Sequence, residues 1–324
     1  MFRKEKPITL KASASSLCNN LALHLMPEKR QIGYAVVHKS MVNIACATPD
    51  GSVVTGRQVI CKEPSVTQGL PFVLQAKWVT LPSRSVLVLT SSRGIQVFES
   101  DGSAMVYWHS LSDSPDVGHC AKGIAGVGEN FLCIGTDDGS ILVFSLPVKG
   151  TNIKLEHTLT GHKAPISDLA SEQNTLVSAD DMGCIIVWKL NGGDFDQVSN
   201  IKANGWPCNS VAIWKGVIVA GFASGHLRVY NATTGCLGAE VTAHARTINA
   251  VDISTDTGMV ISASDDTFFR IWQLKPLNAP QIEFRHSECV PDLQLVGAKF
   301  IDEKGGALCV TGYDSSDILF FVRT

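Results

Sequence analysis

A histidine, a serine and an aspartate stand in order at His244, Ser262 and Asp266, ahead of Trp272. These residue types could make a nucleophilic triad, with serine attacking, histidine taking its proton and aspartate orienting the imidazole. The surrounding sequence argues against that chemistry. Ser262 lies in ISASDDTFFRIW (residues 261–272), inside an apolar run that reads as a strand, with no G-x-S-x-G elbow to present its hydroxyl. A triad also leaves Trp272 without a role, and does not explain why His162, Ser178 and Trp188 repeat the order. Other signatures are missing too: the nine histidines include no HExxH pair, and there is no phosphate-binding P-loop and no GxGxxG. Asp137-Asp138 sits where a turn is expected. The reading is therefore no catalytic residue, no cofactor and no metal site.

The elements that must position these residues are repeats. Residues 261–272 read as a hairpin, two apolar runs joined by Asp265, Asp266 and Thr267, whose side chains bond to nearby backbone. The same plan recurs as LVSADDMGCIIVW at 176–188, LCIGTDDGSILVF at 132–144 and IVAGFASGHLRVY at 218–230. Weaker copies run from 86 to 98 and from 308 to 321. The runs close on Phe98, Phe144, Trp188, Tyr230, Trp272 and Phe320, spaced 42 to 48 residues apart. A period of that size marks a repeat architecture. Four further strand-like runs, Leu21–Leu25, Ile32–His38, Met41–Ala47 and Ser52–Ile60, add a unit before the first aromatic.

Gly161-His162 lies 26 residues before Trp188, and His244 lies 28 before Trp272. With these marks the chain resembles the WD-repeat family, in which a glycine-histidine pair opens a unit of about 40–45 residues and four strands make one propeller blade. Lys189 and Gln273 stand where the family's Trp-Asp pair has its acid. The resemblance implies an all-β, seven-bladed WD40-type β-propeller, one domain over residues 1–324. The seventh blade, Leu295–Phe300, Ala307–Thr311 and Asp317–Val322, is one strand short. An N-terminal strand at about residues 6–11, around Ile8-Thr9-Leu10, is expected to complete it. The resemblance also implies a buried hydrogen-bonded network of His244, Ser262, Asp266 and Trp272. In the His162, Ser178, Trp188 copy, Met182 falls at the aspartate position and Asp181 one place early, so that network is expected to be incomplete.

Composition narrows the function. Lys and Arg total 27 against 30 for Asp and Glu, a net charge of −3, which gives no basic surface for tracking phosphates, so no nucleic acid is expected. Charged residues are 18% of the chain, as suits strands sandwiched between neighbouring blades. The ten cysteines are scattered without a CxxC, which reads as reduced thiols in a cytosolic protein. The N-terminal MFRKEKPITLKA lacks the apolar core of a signal peptide, and no run approaches the roughly 20 apolar residues of a membrane-spanning helix. Asn231-Ala232-Thr233 fits a glycosylation acceptor and reads instead as a turn.

A propeller without catalytic residues is usually an interaction platform, and in this family partners dock on the face carrying the loops that lead into each blade's first strand. Trp206, Arg246, Lys163 and Trp78 are the candidates for such contacts, being aromatic or cationic residues at those positions. Trp214 is read as packing between blades. The inner strands Leu295–Phe300 and Ile248–Ile253 read as mostly apolar, against the alternative of an enzyme or small-ligand binder working through the central channel. A subunit of a stable complex is the remaining alternative. The runs LCNNLALHL, LTSSRGIQVFESDG and AHARTINAVD resemble one branch of the family more closely. That resemblance implies a cytoplasmic, non-enzymatic protein that self-associates and works near vesicles, with protein partners and no direct membrane insertion.

Overall fold

The computed structural model describes residues 2–49, 51–62, 70–111 and 119–324. Its strands form seven antiparallel sheets, six of four strands taken in sequence order and one completed from the other end of the chain. These are the blades of a closed propeller. In chain order, blade 1 is Ala22–Met26, Gln31–His38, Met41–Ala47 and Val53–Ile60; blade 2 is Val73–Thr80, Ser85–Ser91, Gly94–Glu99 and Met105–Ser110; and blade 3 is Ala121–Val127, Phe131–Thr136, Ile141–Ser145 and Lys154–Leu159. Blade 4 is Ile166–Glu172, Thr175–Asp180, Ile185–Asn191 and Asp194–Ile201; blade 5 is Cys208–Trp214, Val217–Phe222, His226–Asn231 and Leu237–Thr242; and blade 6 is Ile248–Ile253, Met259–Ser264, Phe268–Lys275 and Gln281–Cys289. Blade 7 is Leu295–Phe300, Ala307–Gly312 and Asp317–Arg323, completed by the N-terminal strands.

The burial pattern follows from the architecture. In the second strand of blade 2, Val86, Leu87, Val88 and Leu89 are all fully buried, although successive side chains point to opposite faces. Each face meets another blade, so both must be apolar. The core is accordingly divided between blades: Val177, Ala179, Ile185 and Val187 of blade 4 pack with Val211, Ile218, Ala220 and Phe222 of blade 5. Outermost strands face solvent, and Lys154–Leu159 reads KLEHTL with mostly exposed side chains.

The N-terminal segment closes the ring. Ile8–Thr9 pairs with Ile318 and Asp317, and Phe2–Lys4 pairs with Arg323 to Phe321 of the same strand. Glu5 N–H donates to Phe320 O and Leu10 N–H to Ser316 O, both at 2.8 Å. The closing segment therefore begins at Phe2, several residues earlier than the expected 6–11. Its charged stretch Arg3–Lys6 hides it from a hydrophobicity reading, because an outermost strand needs only its inward positions apolar; Phe2 and Ile8 are buried.

Candidate functional site

In blade 6 the four network residues meet. His244 Nε2 lies 2.8 Å from Ser262 Oγ, and Trp272 Nε1–H donates to the same oxygen at 3.0 Å. His244 Nδ1 lies 3.0 Å from both Asp266 oxygens, and Asp266 also accepts from the amides of Ala245 and Phe268 and pairs with Arg270 at 3.0 Å. Burial pushes the His244 imidazole below its ordinary range, more than Asp266 restores. Burial opposes charge on Asp266 as well, but the bond to His244 and the two amides outweigh it and hold the carboxyl well below the usual range. Every polar group has a structural partner. The serine hydroxyl is buried and faces an indole rather than a cleft, which leaves no room for a nucleophile's substrate.

The blade 4 network is complete, contrary to the expectation. His162 Nε2 lies 2.7 Å from Ser178 Oγ, Trp188 Nε1–H donates to that oxygen at 2.9 Å, and His162 Nδ1 lies 2.8 Å from Asp180 Oδ2. The acid is Asp180, at the end of the serine's own strand, where blade 6 has Ser264. Its other oxygen accepts from the turn amides of Met182 and Cys184. Alignment to the turn missed it because one carboxylate can reach the histidine from either position. His162, Asp180 and Cys184 bring donor atoms within 4.8 Å of one another. A cation would find the first two already bonded, and burial holds the Cys184 thiol up at about 11, in its protonated, poorly ligating form. Asp180→Ala is expected to cost about 2–4 kcal/mol in denaturant unfolding and Asp181→Ala, at an exposed turn position, under about 0.5. Equal costs would return the role to Asp181.

The loops leading into the inner strands lie on one face, because every blade runs in the same sense. Lys163 precedes Ile166–Glu172, Trp206 precedes Cys208–Trp214 and Arg246 precedes Ile248–Ile253, and all three side chains are exposed. Trp206 is 54% exposed on a fixed loop: its amide is held by Asn204 Oδ1 at 3.1 Å, and the amides of Asn204 and Gly205 both donate to Met182 O. Gly183, at φ +79°, lets this loop approach, since a Cβ there would stand 2.4 Å from Trp206 O. Met182, whose carbonyl anchors this loop, is itself 51% exposed. The sequence placed Met182 only at the network's aspartate position and gave Phe72 and Tyr313 no role, yet both of these are exposed on the same face as well.

Trp78 does not belong with them. It lies toward the opposite end of its inner strand, Val73–Thr80, buried, with its N–H donated to Ser100 O at 2.7 Å and its ring stacked on His24 of blade 1. It is an interblade packing residue. Trp214 is likewise buried, bonded to Thr255 O. Asn231 is a turn residue whose Oδ1 accepts from the amides of Thr233 and Thr234.

The channel is more polar than its inner strands suggested. Gln75 of blade 2 accepts from Gly123 N–H of blade 3, Asp168 of blade 4 from Val211 N–H of blade 5, Ser210 of blade 5 from Val251 N–H of blade 6, and Asp252 of blade 6 from Phe300 N–H of blade 7, all at 2.9–3.0 Å. The cause is geometric. An inner strand pairs along one edge only, and its free edge must find partners in a neighbour's side chains. Lys77 reaches Ile124 O at 2.8 Å, and Lys299 pairs with Asp252 at 2.7 Å. Burial pulls Lys77 below its ordinary value; for Lys299 burial acts the same way, but Asp252 overcomes it and the value is raised. One end of the channel is filled by Asn19. Its side chain bonds Asp168, Asn209 O and Ser210, and its amide donates to Asn249 O, so one residue ties blades 4, 5 and 6. A cavity of about 300 Å³ remains below it, lined by Lys77, Trp78, Asp168, Asp252 and Lys299. Its polar groups are already engaged in holding the ring.

Comparison with known proteins matches residues 1–323 to the WDR54 family. The chain belongs to that family. It is 42% identical to WD repeat-containing protein 54 of Mus musculus over 335 residues, covering 99% of each chain, and 42% identical over 334 residues, with the same coverage, to WD repeat-containing protein 54 of Homo sapiens. Among solved structures it is similar to a chain of a mitotic checkpoint complex (TM-score 0.76, 16% identity, 99% of this chain and 93% of that one) and to U3-55K (TM-score 0.73, 15% identity, 99% and 98%). At such identities these likenesses carry the propeller fold alone. Family members are WD-repeat propellers, and no helix among the described residues is long and apolar enough to cross a membrane.

Proposed function

We propose that this protein is a non-enzymatic protein–protein interaction scaffold, and that a partner docks on the face bearing Trp206, Met182, Lys163 and Arg246. The observation that carries this reading is Trp206, a half-exposed indole on a loop hydrogen-bonded to the turn that bears a second exposed apolar residue, Met182. Rigid exposed aromatics flanked by cations are the composition of binding hot spots. The hydrogen-bond networks explain the residues that resemble catalytic groups, which supports the non-enzymatic part. Work in the cytoplasm, in vesicle-associated signalling and with self-association, belongs to the same proposal. Ten cysteines without a disulfide among them suit a reducing compartment, and the vesicle and oligomer parts rest on the sequence resemblance.

The test is a pull-down from cell extract, read by mass spectrometry, with wild type beside a Trp206→Ala/Arg246→Ala variant of matched melting temperature. Specific proteins retained by wild type and lost at least tenfold in the variant support the reading. Identical sets from both baits would move the interaction to another face.

A further inference from the structure

Between the outer parts of blades 6 and 7 lies a cleft of about 300 Å³ lined by Phe2, Met259, Ile271, Gln273, Arg285, His286 and Arg323. Two arginines, Arg285 of blade 6 and Arg323 of blade 7, therefore line one recess. Arg323 is paired across the sheet with Phe2 of the closing strand, which puts its side chain on the face turned to blade 6. Its one side-chain bond among the described residues is from Nη1 to the Met259 sulfur at 3.7 Å, a weak acceptor for a group with five donors.

Arg285 comes to the cleft by a backbone device. The third and fourth strands of blades 3 to 6 each carry a bulge beside the closing aromatic. The extra residue is Glu156 in blade 3, Val198 in blade 4, Gly238 in blade 5 and Arg285 in blade 6. Bulges re-aim a side chain relative to its neighbours. Only in blade 6 among these four does that position hold a cation.

The acids nearby are shared out. Glu283 bonds Arg285 at 3.1 Å but also takes Lys275, and Glu288 is bonded to His286 Nε2 at 3.0 Å. Phe2 packs against the His286 ring at a centroid distance of 5.5 Å and fixes the floor of the recess. Arg285 and Arg323 thus line a partly walled cleft, and the carboxylate that pairs with Arg285 is divided with Lys275. Forked donors from two directions match a tetrahedral oxyanion.

We propose that the blade 6–blade 7 cleft is an oxyanion site that takes a phosphate group on Arg285 and Arg323. The group can arrive free or as a phosphorylated side chain, and both present the same three acceptor oxygens.

The test is calorimetric titration of inorganic phosphate, and separately of phosphoserine against serine, into the full chain at constant ionic strength. Saturable phosphate binding, weakened at least tenfold in Arg323→Ala and in Arg285→Ala and strengthened in Glu283→Gln, supports the site. Preference for phosphoserine over inorganic phosphate identifies a phosphorylated side chain as the ligand, and the reverse identifies the free anion. Both arginines are exposed, so the variants are expected to melt with wild type; Arg323→Lys, which keeps charge but loses the fork, should bind at an intermediate level. The same heats from chloride at equal ionic strength, or binding unchanged in both alanine variants, would overturn the proposal.

Discussion

Deleting residues 2–10 abolishes the cooperative thermal transition or lowers the melting temperature by more than about 10 °C. The closing strand buries Phe2, Ile8 and Leu10, and a fully buried side chain of this size contributes about 1.5–3 kcal/mol. Three of them, with a strand's worth of backbone bonds, amount to much of the roughly 5–15 kcal/mol that holds a domain folded. The loss also exposes the length of Asp317–Arg323 as an unpaired edge, so the truncated chain should aggregate as it loses structure. Circular dichroism melts with light scattering read both effects. A peptide of residues 2–11 added in trans should recover part of the stability. An unchanged melt would mean that a three-stranded blade 7 suffices, and that ring closure resides in the interblade core.

Asp168→Ala is expected to cost about 3–5 kcal/mol in urea unfolding. Asp168 is buried in the channel and accepts from Val211 N–H at 2.9 Å and from Asn19 Nδ2 at 3.0 Å. Hydrogen bonds to a charged acceptor contribute about 1.5–3 kcal/mol each, and here the abandoned donors stay buried. Lys77 would lose the nearby charge that offsets its burial. Asp168→Asn keeps the shape and an oxygen for both of those donors, which share Oδ2, but it loses the charge and turns its amide toward Gln75 Nε2, so it should recover about half the loss. If Asp168→Ala melts within about 1 °C of wild type, the side-chain belt around the channel is dispensable, and the cavity beneath Asn19 regains interest as a ligand site.

Much of the fold was legible because a propeller writes itself into sequence as a period. The closing aromatics, the doubly apolar strands and the incomplete last blade are one-dimensional facts, and they forced seven units and a closure from the other end. The histidine, serine and tryptophan of each network were legible for the same reason, since their spacing is set within one blade.

Contacts that sequence spacing does not dictate were not legible. Asp180 replaces the turn aspartate because the carboxylate needs only to reach the imidazole, a condition on distance rather than on spacing. Trp78 resembles Trp206 as a letter, and only packing buries one against His24 while leaving the other on the surface. Gln75, Asp168, Ser210 and Asp252 look unremarkable in their own strands; their role belongs to the free backbone edge of the next blade. Local periodicity along the chain was enough to set the number of blades, their internal order and the need for a closing strand. The tertiary structure alone decided which polar groups are structural, which aromatics are exposed and how Arg285 and Arg323 come to share a cleft, because those depend on distances between residues far apart in the chain.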